Sequence, residues 1–82
     1  MILRVLLFSV LQDAVGSKEV EVEVPRNGCD VNGLLRIVYD SWPELLGWNS
    51  VIRVAVDHDY VERNYQLKEG QIIALMPPMQ GG

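Results

Sequence analysis

A single long amphipathic helix, set between strand-like segments, restricts the architecture of this chain more than any other feature. Asp30 stands where an N-cap would accept the first free amides of a helix, and Pro43 ends it because the residue before proline disfavours helical backbone. Apolar residues recur between them at three- and four-residue spacing: Val31, Leu34, Leu35, Val38 and Trp42. One such stripe can cover one face of a sheet, so the sequence predicts an α+β fold.

Strand-like segments flank this helix on both sides. Residues 2–8 are β-branched and apolar, and residues 19–24 alternate glutamate with valine. These two segments, joined by the turn-rich stretch QDAVGSKE, predict a hairpin. Two further apolar segments, at residues 51–56 and 71–76, predict strands on the C-terminal side of the helix.

The order of these elements predicts the topology. A turn at residues 57–59 and a short strand or loop at 60–65 separate the two later strands. The order fits the β-grasp arrangement, a mixed sheet with one main helix on one face and its first and last strands side by side and parallel. Because 82 residues allow only one core, we predict a β-grasp domain over residues 1–76 and an extended tail over 77–82.

The first and last strands are expected to leave an apolar patch on the face turned away from the helix. Successive strand residues point to opposite faces, so an inward Leu7 and Leu75 leave their neighbours outward. With the two strands adjacent, the outer face carries Leu6, Phe8, Ala74 and Met76. An exposed apolar patch of this kind predicts a docking surface for a partner.

Charge and side-chain chemistry exclude several classes of function. The net charge of −4 argues against nucleic acid and against an anionic membrane surface, both of which require basic residues. The lone Cys29 has no second cysteine to pair with, and no segment matches a membrane span or a signal peptide, so the cytoplasm is expected. The tripeptide Asp57-His58-Asp59 is interpreted as a solvated turn, because adjacent residues seldom converge on one metal ion; no metal site is predicted.

The last residues of the sequence suggest chemistry on the main chain. Pro77 and Pro78 lack amide hydrogens and have fixed φ, so they end the last strand and direct the tail outward. Residues 77–82 can extend roughly 20 Å, far enough to enter another protein's active site. Gly81 and Gly82 carry no side chain, which leaves the terminal carboxylate unhindered. A frayed end or an expression remnant is the simpler interpretation of the glycines alone.

Together, VLLFSVLQDAVGSKEVEVEVP, LKEGQIIALMPPMQGG and the chain length resemble the small, sulfur-carrying subunits of molybdopterin synthase, the MoaD family of ubiquitin-like β-grasp proteins. The resemblance spans almost the whole chain. Its most specific part is an apolar strand followed by Pro-Pro, two residues and Gly-Gly. The sequence departs from the family at Gln71 and Ile72, where an acidic pair is frequent, at Asp57, often Asn, and at Gln80, commonly a small residue.

The resemblance implies a role for each part of the tail. A separate activating enzyme would adenylate Gly82 with ATP, sulfur would replace one carboxylate oxygen, and the thiocarboxylate would give sulfur to cyclic pyranopterin monophosphate. The large synthase subunit, in a heterotetramer, would accept the tail. Its contacts would be Leu6, Phe8, Met76, Pro77, Pro78, Met79 and Gln80, with Gly81 giving clearance. The chain itself would be a non-catalytic sulfur donor without a bound cofactor, since the catalytic side chains would belong to its partners.

Three alternatives remain open from the sequence. A ubiquitin-like protein modifier would be attached to lysines through Gly82, because activation of the carboxylate is chemically the same. A ThiS-like carrier of thiazole synthesis is usually shorter and lacks Pro-Pro. A structural β-grasp module would have an idle tail.

Overall fold

The computed structural model describes residues 1–78 of the chain. Its elements are β1 Ile2–Leu7, α1 Val10–Val15, β2 Glu19–Glu23, α2 Val31–Ser41, a 3-10 helix Pro43–Trp48, β3 Arg53–Val56, β4 Asp59–Tyr60 and β5 Ile72–Met76. None of the helices within these residues has the length and apolar character needed to cross a bilayer.

The strands form one five-stranded mixed sheet in the order β2-β1-β5-β3-β4. β1 and β5 are parallel, with Leu6 opposite Ala74, and the other three pairings are antiparallel. This topology confirms the predicted α+β β-grasp arrangement with its first and last strands adjacent. β5 lies at the centre of the sheet and leads directly into Pro77.

The predicted helix is confirmed as α2. The Gly33 amide donates to Asp30 Oδ1 at 2.8 Å, so Asp30 is the N-cap that the sequence indicated. The helix ends at Ser41, two residues before Pro43. Its buried stripe packs in the same apolar core as the inner face of the sheet: Val31, Leu34, Leu35 and Val38. Burial of each of these side chains contributes about 1.5–3 kcal/mol, which fixes the helix to this face.

Two helical segments differ from the expectation. The stretch predicted as a turn, QDAVGSKE, overlaps the second half of α1, whose Leu11 is fully buried and whose C-cap is Gly16 with φ of 86°. After α2, the Pro43–Trp48 3-10 helix buries Leu45. Both segments are six residues long, so their helicity depends on tertiary burial of one leucine rather than on a periodic pattern.

The third predicted strand is shorter than expected. The sequence predicts it over residues 51–56, whereas β3 begins at Arg53. The amides of Val51 and Ile52 both donate to the carbonyl of Trp48, at 2.9 and 3.0 Å. These bonds hold the two residues in the turn after the 3-10 helix and keep them out of the strand.

A tight turn joins β3 to β4, as predicted for residues 57–59. Asp57 and His58 have φ of 49° and 78°, and the flanking Val56 and Asp59 are paired, so the loop has two residues and positive φ at both, as type I′ turns require. Asp57 also joins β5: its carboxylate accepts the Ile72 amide and its own amide donates to the Ile72 carbonyl, each at 3.0 Å.

Candidate partner-docking site

The face of the sheet opposite α2 carries an apolar groove. The strand register aligns Leu6 with Ala74, Ala74 with Ala55, and Ala55 with Tyr60, across β1, β5, β3 and β4. The two alanines are small and lie between larger side chains, so they form the floor of the groove. Its volume is about 320 Å³.

The walls of the groove are large side chains that remain partly exposed to water. Phe8 is 45% exposed and Tyr60 66%, while Met76 and Leu6 are half-buried. The alternate residues of β1 and β5 lie in the core with exposures of 2% or less: Leu3, Val5, Leu7, Ile73 and Leu75. The outward positions predicted for Leu6, Phe8, Ala74 and Met76 are therefore confirmed, and all four line the groove. Their role in docking stays a prediction.

Several residues of the groove were missed from the sequence. Ala55 is only 7% exposed yet is not part of the core cluster, because it faces the groove beneath Tyr60 and the β3–β4 turn. The outward orientation of Ala55 could have been predicted, since inward Val54 and Val56 leave the residue between them on the outer face. Ile72 also lines the groove, at one of the positions where the sequence departs from the resembled family.

Charged side chains lie at two edges of the open face. Arg4 pairs with Glu19 at 3.0 Å, and both side chains are about half exposed, so this ion pair contributes at most about 1 kcal/mol. On the other side, the guanidinium carbon of Arg53 lies 5.7 Å from the centroid of the Tyr60 ring. This is a cation–π distance. The groove therefore has polar margins around an apolar floor.

The root of the tail lies beside this groove. The Phe8 amide donates to the Leu75 carbonyl at 3.3 Å, near the carboxyl end of β5. Pro77 and Pro78 come directly after Met76 and are half-buried; neither has an amide hydrogen with which to continue the ladder. Met79, Gln80, Gly81 and Gly82 lie outside the described residues, so the predictions made for them stay predictions.

The titratable side chains with altered pKa lie away from the groove. Burial, and then the charge of Asp30, raise the pKa of the Cys29 thiol, which donates to the Asp30 carbonyl at 3.3 Å. A protonated, buried thiol is a poor nucleophile, in agreement with a cysteine without a chemical role. Burial also raises the pKa of Tyr39, against the opposing charge of Arg63. The Tyr39 hydroxyl donates to Asn49 Oδ1 at 2.7 Å, a bond that joins α2 to the loop before β3.

Known proteins match the sequence of this chain along most of its length. A model of the ThiS family matches residues 5–82. The molybdopterin synthase sulfur carrier subunit of Caenorhabditis briggsae is 33% identical over 81 residues, which cover 96% of this chain and 95% of that protein. The resemblance found in the sequence is thereby confirmed.

Two solved structures share the fold over their full length. SAMP1 from Haloferax volcanii is 24% identical and superimposes with a TM-score of 0.85, covering 100% of both chains. A chain in the protein–protein complex of subunits 1 and 2 of the molybdopterin-converting factor from Helicobacter pylori is also 24% identical, with a TM-score of 0.70 and 100% coverage of both chains. At these identities the likeness concerns the ubiquitin-like β-grasp fold alone.

Proposed function

This chain belongs to the ThiS family, and we propose that within it the chain is the sulfur carrier subunit of a molybdopterin synthase. The curated relative with 33% identity carries that name and matches along almost its whole length. This relative favours the molybdopterin pathway over thiazole synthesis, the other pathway that a carrier of this kind can serve.

One observation carries the proposal: the docking groove and the root of the tail belong to the same strand. Ala74 and Met76 of β5 line the groove, and Pro77 comes immediately after Met76. A partner seated on the groove is therefore positioned to receive residues 77–82. The two prolines already restrict the backbone of the free tail. Binding therefore loses less conformational entropy than the usual cost of about 1–2 kcal/mol per ordered residue.

The proposed chemistry takes place at the Gly82 carboxylate. The carboxylate oxygen attacks the α-phosphorus of ATP on the activating enzyme and releases pyrophosphate, and hydrosulfide from a sulfur donor then displaces AMP with loss of a proton. The resulting thiocarboxylate is a soft nucleophile whose sulfur forms a C–S bond to cyclic pyranopterin monophosphate as an oxygen substituent of the substrate leaves. Water then cleaves the acyl–sulfur bond, which leaves the sulfur on the pterin and returns the carboxylate. The slim Gly81-Gly82 end can carry this group into a site shielded from water.

The proposed partner on the groove is the large subunit of the synthase, in a heterotetramer. Phe8 and Met76 are already partly buried in the free chain, so burying the rest of both side chains against it would contribute about 1–2 kcal/mol. The molybdopterin-converting factor of Helicobacter pylori forms a complex of its subunits 1 and 2, which supports this assignment. The activating enzyme would have to release the chain before the large subunit binds.

Replacing both Pro77 and Pro78 by glycine is expected to weaken binding to the large subunit and to slow sulfur transfer. The free tail becomes more flexible, so more conformational entropy is lost when it enters a single tunnel. We expect adenylation of Gly82 to change less, because the activating enzyme must release the tail after use. The rate of adenylation and the rate of sulfur transfer should be measured on the same double variant.

The matched control is Pro25→Gly, which makes the same chemical change at an exposed proline after β2. This control should leave both rates unchanged. Unaltered transfer by the double variant, or adducts linked through Gly82 to lysines of unrelated proteins in cell extract, would support a protein modifier instead.

A further inference from the structure

Arg53 is a charged residue at the margin of the apolar groove. It is the first residue of β3 and lies opposite Met76 in the antiparallel register with β5. Its guanidinium carbon is 5.7 Å from the centroid of the Tyr60 ring, which is itself a wall of the groove. The side chain therefore lies at the edge of the groove, beside Tyr60 and one strand away from the residue that precedes the tail.

This arginine has no carboxylate partner within residues 1–78, where the ion pair found is that of Arg4 with Glu19. Three carboxylates are close by: Asp57 and Asp59 at the β3–β4 turn, and Glu62, which lines the same surface pocket as Arg53. None of them forms an ion pair with Arg53, and the Asp57 oxygen accepts the Ile72 amide. An aromatic ring orients the guanidinium without neutralising it, so its hydrogen-bond donors stay available to a second molecule.

A partner that covers Met76 and Tyr60 must also cover Arg53. Removing an unpaired guanidinium from water carries a large free-energy penalty, which a correctly placed opposite charge offsets. The planar fork of guanidinium donors matches a carboxylate with two parallel hydrogen bonds. A phosphate group, which carries about −1.5 to −2 charges, fits less well than a singly charged carboxylate, because the chain has a net charge of −4 and acidic residues lie at the adjacent turn.

We propose that Arg53 is a specificity-determining residue that recognises an Asp or Glu carboxylate of the large subunit, next to the apolar contact made by Met76. This inference rests on the proposed function, since it assumes that the groove receives that subunit. The apolar groove then supplies most of the contact area, and the charge pair fixes the orientation in which the tail enters.

The test is the affinity of the full chain for the large subunit of the same organism, measured by calorimetry. Arg53→Gln is expected to weaken binding about 30-fold or more, because it leaves the partner's carboxylate buried and unpaired. Arg53→Lys keeps the charge but not the planar fork, so its affinity should lie between those of the wild type and Arg53→Gln. The control is Arg36→Gln, an equal change of charge at an exposed position of α2, and it should bind like the wild type.

The salt dependence gives an independent readout. Added salt should weaken the wild type more than Arg53→Gln, because only the wild type retains the charge pair. Affinity unchanged by Arg53→Gln, or an equal loss in Arg36→Gln, would overturn the carboxylate assignment while leaving the proposed function standing. Absence of binding by the wild-type chain would instead overturn the proposed function, and this inference with it.

Discussion

Removing Gly82, or adding one residue after it, is expected to abolish sulfur transfer without disturbing the fold. Both changes displace the carboxylate from the position at which it would be adenylated and from which sulfur would be delivered, and no described element contains Gly82. Molybdopterin formation should be measured in a reconstituted assay with the large subunit, the activating enzyme, ATP and a sulfur donor. Circular dichroism should show an unchanged domain in both variants.

Gly81→Ala tests the same tail with a smaller change. A single methyl group thickens the tail where clearance is least, so turnover should fall while the Gly82 carboxylate remains present. The control is Gly47→Ala, because the added Cβ there would meet no atom within 4 Å and the backbone has no positive φ. Molybdopterin formation at the wild-type rate by the chain lacking Gly82 would show that the chemistry lies elsewhere.

Phe8→Asp and Met76→Asp are each expected to abolish binding of the large subunit while the domain stays folded. The face opposite α2 is already in contact with water, so an aspartate there costs the isolated domain little. In the complex, the same aspartate would be buried without a partner, which is the main cost, and an apolar contact of up to about 1 kcal/mol would also be lost. We therefore expect a loss of affinity of at least about a hundredfold. Calorimetric titration of each variant measures it.

Leu46→Asp is the matched control for this pair. Leu46 is 59% exposed and lies on the 3-10 helix outside the groove, so the same substitution should preserve affinity. Wild-type affinity in Phe8→Asp and Met76→Asp would show that the large subunit does not use this groove. Loss of the circular dichroism spectrum in either variant would contradict the expectation that these side chains are dispensable for folding.

The sequence predicted the parts of the fold that depend on long periodic patterns. Alternation in residues 2–8 and 71–76 indicated the inner and outer faces of β1 and β5, and the spacing from Val31 to Val38 indicated the buried stripe of α2. It did not predict α1, because six residues are too few for a helical pattern, and the burial of Leu11 depends on segments distant in the chain.

The candidate site also has residues that the sequence predicted and residues that it could not predict. Leu6, Phe8, Ala74 and Met76 could be predicted because they belong to two strands whose adjacency is a consequence of the β-grasp order. Arg53 could not be placed beside Met76, since that contact depends on the register between β3 and β5. The role of Gly82 came from the terminal motif and the family resemblance, and it stays a prediction.

The most direct test of the proposed function is the intact mass of the chain purified from cells in which the pathway is active. A sulfur carrier should show a second species heavier by one oxygen-to-sulfur exchange, located at Gly82 by fragmentation and absent when the activating enzyme is deleted. A single species with the unmodified mass, in cells that make molybdopterin through this chain, would contradict a thiocarboxylate at Gly82.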